Sequence, residues 1–287
     1  MTKSNNVHSI VLRSVSPIAH ADTASGVNNA SNTTLFMRTS AYVNGFPALV
    51  PAISENALRS VIWRKTLADH LLTTIGAEPG TMRKSVVNLL YSGGNLAGGS
   101  KAPGNEHQLG RDLMRGYPSI DLLGGAVDCF VLPTSRLKFT CWPVAREFAR
   151  SLSYVAPQKI VDEAESRSIF DAITEETRTR GTGNESDGNQ MIYSYEVMAA
   201  GVGLFVRVTL DNNCCELTRS ALGFALNEWP GYIGGQGRQG RGLMAVESHD
   251  LPSGDDYQQY IDDNKEPLLT GLLDGTFGTG RELCGGN

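Results

Sequence analysis

The sequence predicts one α+β domain. Three observations carry this: segments of strand character are scattered from residue 7 to residue 248, helical patterns fall between them, and glycine-rich or polar loops separate the elements without a composition break that would divide the chain. With 287 residues, 40% of them hydrophobic, 19% charged and 32 of them glycine, the chain can bury a sizeable core, and disorder is excluded for most of it. No run approaches the roughly 18 apolar residues of a membrane span. The start MTKSNNVHSI has neither a basic nor an apolar leader region, so a cytoplasmic protein with no membrane partner is expected. The five cysteines are odd in number and form no CxxC pair, which points away from disulfides and zinc. No metal or other cofactor is expected.

Residues 7–15 alternate apolar and polar side chains and end at Ser16-Pro17, as a half-buried strand should. Residues 19–34 are small, polar and rich in Gly and Asn, a loop long enough to suggest function. Residues 35–43 and 46–50 flank Asn44-Gly45, a strong hairpin signal. Ser54 is a good N-cap for a helix whose apolar side chains recur until Gly76 stops it. At 100° per residue, Asn56, Arg59, Trp63 and Thr66 fall on the face away from most of the apolar stripe. A second helical stretch at 82–91 leads into an irregular, basic, Gly-rich region at 93–117. Residues 126–132 and 136–143 read as a hairpin across Pro133-Thr134-Ser135, and residues 155–189 as an exposed, flexible excursion. Strand character returns at 191–196 and 204–210, a helix fits 217–229, and a last strand fits 243–248.

The net charge is −5, but its distribution is uneven. Residues 246–287 hold nine of the 30 acids and two of the 25 bases, a net −7, which leaves the body at +2. The body can therefore face a nucleic acid, and the acidic segment reads as a solvated surface or a subunit contact.

GGQGRQGRG at 234–242 is the most informative string. It matches GxGxxG, yet a helix precedes it and a strand follows, the reverse of a dinucleotide fingerprint, and no P-loop lysine is present. A loop whose backbone can approach a ligand, with Arg238 and Arg241 to meet phosphates, fits it; so does a plain flexible turn. The five histidines are dispersed, with no HExxH or GxSxG. His20, close to Asp22, is the one candidate base. The residues alone point to no reaction.

The combination resembles the CRISPR-associated RAMP superfamily. ISENALRSVIWRK at 53–65 is similar to its signature helix, IDLLGG at 120–125 to its Leu-Phe-Gly element, and RTRGTG at 178–183 with MIYSYEVMAAGVGLFVRVTL at 191–210 to its Arg-x-Thr-Gly and Phe-x-x-Glu stretch. The order of these motifs, closed by the glycine loop, matches the guide-RNA backbone subunit, the Cas-seven family, better than the processing endonucleases. Ser60 and Trp63 depart from the usual glycine and arginine of the helix.

The resemblance implies a modified RNA-recognition (ferredoxin-like) palm within a single domain spanning 1–287, with a finger insertion at 77–119, a thumb hairpin at 173–192 and an acidic C-terminal extension at 249–287. It implies a non-catalytic subunit of a type IV or type I effector that assembles in a helical filament of its own copies along CRISPR guide RNA, beside other effector subunits. Target DNA is favoured over target RNA, because Asn32 stands where RNA-cutting members carry an aspartate and Asp22 is the only acid in that loop. A metal-independent RNA endonuclease of the same superfamily, with His20 as base, is the alternative. The RNA-contacting residues expected are His20, Arg38, Asn56, Arg59, Arg64, Arg178, Arg180, Gly235, Gly237, Arg238, Gln239 and Arg241. Contacts should go mainly to the RNA backbone, since no aromatic RNP motif is present.

Overall fold

The computed structural model describes every residue except 1–5, 22–26, 29–32, 96–105, 128–129, 182–189 and 279–287. The chain opens on β1 (Val7–Ser14), passes β2 (Val27–Asn28) and β3 (Thr33–Thr34), and forms a hairpin of β4 (Arg38–Val43) and β5 (Phe46–Pro51). Asn44 and Gly45 both take positive φ in its turn, 50° and 86°, the tight hairpin geometry that Asn-Gly favours.

One continuous helix follows: α1 (Glu55–Leu58), a π-helical stretch Arg59–Lys65, and α2 (Thr66–Ile75). Ser54 Oγ caps it, accepting from the Ala57 N–H at 3.1 Å, and Gly76 ends it at φ 70°. The π stretch corrects the facial assignment made from the sequence. Hydrogen bonds from i to i+5 add a residue per turn, so positions beyond Arg59 rotate relative to ideal α geometry. Trp63 and Thr66 are consequently buried, at 0% and 7% exposure.

Next come α3 (Lys84–Ser92), α4 (Glu106–Gly116) and α5 (Pro118–Leu123). The region read as irregular is thus helical from 106 onward, where Leu109, Leu113 and Met114 bury one stripe. Among the described residues β6 (Ala126–Val127) pairs only with β7 (Phe130–Val131), while β8 (Leu137–Pro143) joins the main sheet. The single hairpin expected over 126–143 is therefore two separate structures. The connection is pinned rather than free, because Ser135 Oγ donates to Leu122 O at 2.7 Å and Arg136 Nε donates to Asp121 Oδ1 at 3.1 Å.

The helices α6 (Ala149–Leu152) and α7 (Gln158–Glu165) precede a long hairpin of β9 (Ile173–Gly181) and β10 (Gln190–Met198). The stretch 155–189 is accordingly ordered on both sides of 182–189, since Ile160, Val161 and Ala164 give α7 an apolar stripe that buries. β11 (Gly203–Leu210), α8 (Glu216–Glu228), β12 (Met244–His249), α9 (Asp255–Asp263) and α10 (Lys265–Leu273) complete the chain.

The main sheet has the order β12-β1-β11-β8, antiparallel throughout. Ile10 and Leu12 of β1 and Val206 and Val208 of β11 are fully buried and join Ile62, Leu67, Leu71, Leu222 and Ala225 of the two long helices in one core. The acidic C-terminal segment is not merely solvated. Tyr257, Ile261, Leu268 and Leu272 bury its apolar side, and α9 packs on α2 and α8. A second sheet, β2-β3-β10-β9, stands on the hairpin. Among the described residues no helix is long and apolar enough to cross a membrane.

Candidate nucleic-acid interface

The segment after β1 is the hub of the site. Ile18 exchanges both backbone hydrogen bonds with Met198 at the hairpin base, 2.8 and 2.9 Å. Ala19 O accepts from Gly235 N and Pro17 O from Gly242 N, each at 2.8 Å. His20 Nε2 accepts from the N–H of Ser54, the N-cap residue, at 3.1 Å, and its ring meets Phe36 edge-on at 6.0 Å between centres. Glycine loop, helix N-terminus and hairpin base thus converge on the four residues that follow the first strand, 17–20.

Two glycines make this closeness possible. A Cβ on Gly234 would lie 2.3 Å from Ala19 O and one on Gly242 2.0 Å from Ile233 O, and both residues have positive φ, 77° and 80°. The loop between them turns through residues 237–239 and exposes Gly235, Gly237, Arg238 and Gln239. Arg238 makes no hydrogen bond or ion pair among the described residues. Asn56, in the first turn of the helix, is exposed as well.

The other expected contacts are arranged differently. Arg38 is paired with Glu196, 2.9 Å at the closer oxygen, and donates to Phe36 O. Arg241 is buried, bonded to Glu176 and set over the Tyr195 ring at 5.1 Å. Arg59 donates to Leu123 O at 2.5 Å and Ser135 Oγ at 2.7 Å. Arg64 donates to Leu89 O, Leu123 O and Gly124 O. Burial lowers the pKa of both guanidinium groups, that of Arg64 down to about 10 with neighbouring Arg59 adding to the effect. These two cations cap the C-terminal carbonyls of α3 and α5, where helix dipoles attract positive charge. Arg178 and Arg180 occupy β9 opposite Tyr193 and Met191. Asp22 and Asn32 lie outside the described residues.

Sequence reasoning missed the carboxylates, Glu176 and Glu196. Both sit in the motif-bearing hairpin; the charged run ITEETRTRG at 173–181 was the available signal for Glu176, and the Phe-x-x-Glu resemblance of 191–210 that for Glu196. Among the described residues no three His, Cys, Asp or Glu side chains are placed to hold a metal. Cys141, Cys214 and Cys215 are free thiols, and burial raises the pKa of the first two.

A hub of backbone bonds, an exposed glycine loop and one unpaired arginine define a surface suited to an anionic chain. No family model and no curated protein matches this sequence. Solved structures do. A chain of a Type IV-B CRISPR complex is similar over 88% of this chain and 98% of its own, with 19% identity and a TM-score of 0.57. Csc2 of Thermofilum pendens aligns over 95% of this chain and 80% of its own, with 14% identity and a TM-score of 0.40. The first likeness shows that this chain has the fold of that CRISPR-complex chain, as the sequence resemblance implied.

Proposed function

We propose that this protein is a non-catalytic backbone subunit of a CRISPR effector complex, oligomerising along guide RNA and holding its phosphates while guide bases pair with target DNA. The observation that carries the reading is the near-complete overlap with a chain of a Type IV-B CRISPR complex. Counting only the strands of the main sheet, the succession is strand, helix, two strands, helix, strand in the order 4-1-3-2, which supports a modified RNA-recognition palm. The β9–β10 hairpin supports a thumb at 173–192, and α3 with α4 falls within a finger at 77–119. The bond from Ser54 N to His20 Nε2 supports a non-catalytic role, because it occupies the lone pair a general base would use.

The test is purification at low salt from cells that supply guide and partner subunits, followed by electron microscopy. RNA-bound multimers are expected; a nucleic-acid-free monomer overturns the proposal. Arg238→Ala should weaken RNA binding and flatten its salt dependence by about 0.7 per lost phosphate contact. Its melting temperature should stay unchanged, since Arg238 is exposed and unpaired.

A further inference from the structure

A cleft of about 260 Å³ opens where the N-terminus of α8 meets α4 and the connection from α5 to β8. Arg111, Arg115 and Arg136 stand in its walls against a single carboxylate, Asp121. Both oxygens of Asp121 are engaged, Oδ1 accepting from Arg136 Nε at 3.1 Å and Oδ2 from Thr218 Oγ1 at 2.9 Å. Arg111 and Arg115 are exposed and lie four residues apart on α4, where like charges repel. Among the described residues Arg111 makes no ion pair; its Nη2 donates to Gln108 Oε1 at 2.9 Å. The carboxylates beyond the walls are held loosely. Asp112 stands 3.7 Å from Arg115, and Asp211 3.9 Å from Arg136 and 3.6 Å from Lys138, all longer than a hydrogen bond.

The rest of the lining does not oppose an anion. Asn213 and the Cys215 thiol are exposed here, and Met114 and Pro133 supply the apolar part. Cys215 is the N-cap residue of the 13-residue α8 and gives it no side-chain cap, so the positive end of that helix adds to the field of the arginines. A guanidinium fork meets phosphate oxygens two at a time. Exposed guanidinium groups hold one small anion weakly in salt, whereas a polyanion releases counterions at every phosphate they meet. The glycine loop follows the opposite end of α8, 13 residues or about 20 Å away. A phosphate in the cleft is therefore not one that the glycine loop holds.

We infer that this cleft is a second nucleic-acid contact, in which Arg111, Arg115 and Arg136 take phosphodiester groups of a strand that passes the N-terminus of α8. The choice of a nucleic acid over an acidic peptide rests on the RNA-binding reading above; the cationic cleft itself does not. Cys215 makes the site measurable, because a strand lying on the arginines covers an exposed thiol in the same walls.

The test is alkylation of Cys215 by iodoacetamide in the full-length protein, read on the Cys215 peptide by mass spectrometry with and without oligo(dT). Oligo(dT) at about ten times its Kd should slow the reaction about tenfold by occupancy. Arg111→Ala with Arg115→Ala should remove this protection and flatten the salt dependence of oligo(dT) binding by about 0.7 for each lost phosphate contact, with an unchanged melting temperature because both side chains are exposed. Arg238→Ala should leave the protection in place. An unprotected Cys215 in the wild type, or protection that survives the double variant, overturns the cleft. Protection by inorganic phosphate or polyglutamate equal to that by oligo(dT) overturns the assignment to a nucleic-acid strand. RNA affinity of the same preparations reports the glycine loop separately: its loss in the Arg238 variant with Cys215 unprotected in the wild type leaves the RNA-binding reading standing alone, and a wild type that binds neither RNA nor oligo(dT) overturns both.

Discussion

Arg241 of the glycine loop and Glu176 of β9 are joined by two hydrogen bonds, with the guanidinium lying over the Tyr195 ring. This pair ties the loop before β12 to the hairpin that rises from the other end of the site. A residue that the sequence offers as a phosphate ligand is thereby a clasp between two elements about 65 positions apart along the chain.

Arg241→Ala should therefore cost folding stability, about 1–2 kcal/mol; Glu176 is partly solvated, which keeps the loss below that of a fully buried pair. Glu176→Gln should cost less, because it keeps one acceptor. Melting temperature of the nucleic-acid-free protein measures both. A melting curve unchanged by Arg241→Ala would show that the loop holds its place without the clasp.

Arg59 and Arg64 lead to a similar expectation. Each donates to the carbonyl of Leu123, the last residue of α5. Removing Arg64 takes the donor from Gly124 O, at about 1–3 kcal/mol, whereas Arg59→Ala should cost less because Leu123 O keeps its bond from Arg64. Arg64→Lys should fail to rescue, since a single ammonium cannot span the carbonyls of Leu89, Leu123 and Gly124 as a planar guanidinium does. Thermal denaturation should show the loss in the free protein, with RNA affinity falling only in proportion to the folded fraction. A selective loss of RNA affinity at full stability would return these residues to the interface.

The contrast between Arg238 and the other arginines shows how far the sequence could be read. Strand β1, the Asn44-Gly45 hairpin, the Ser54 cap and the Gly76 stop were legible because each depends on local chemistry. Glu196, the carboxylate partner of Arg38, and the partners of Arg59, Arg64 and Arg241 lie from 25 to 158 positions away, and side-chain pairing over such separations leaves no periodic trace. Trp63 was misplaced for a different reason: nothing in RSVIWRK announces the π stretch that turns it inward. The β8 pairing was likewise misassigned because its neighbour β11 is more than 60 residues further on.

His70 gives the fold an acid sensitivity. Its ring packs on Phe224 at 4.3 Å between centres, and burial lowers its pKa below 6.5 despite the opposing fields of Glu228 and Asp262. A histidine whose folded pKa is depressed binds protons more readily when unfolded, so stability is full above the unfolded value and declines as pH falls below about 6.5. His70→Gln should flatten the dependence of melting temperature on pH between about 7 and 5. An identical slope in both proteins would place the acid sensitivity elsewhere.

The outer part of the long hairpin should be cut by trypsin in the free subunit and protected in the assembly. β3 pairs with β10 only at Ser194 and Tyr195, and Glu176, which faces Tyr195 across the ladder, is the outermost β9 residue with an ion pair to the body among those described. Beyond that point, among the described residues, β9 and β10 pair only with each other, Arg178 opposite Tyr193 and Arg180 opposite Met191. A two-stranded ribbon without a third strand is marginally stable in water, and Thr174 to Gln190 supplies little apolar surface to improve on that. Local opening should therefore expose the bonds after Arg178 and Arg180 while the clasped base stays closed. RNA and a neighbouring copy lying against the ribbon would suppress this opening, slowing cleavage at both sites by the factor that binding stabilises the closed form. Arg241→Ala should speed cleavage after Arg178 and Arg180 in the free subunit, because it releases the clasp at the hairpin base. Equal cleavage rates with and without RNA would mean that the ribbon is an exposed arm that no other subunit covers.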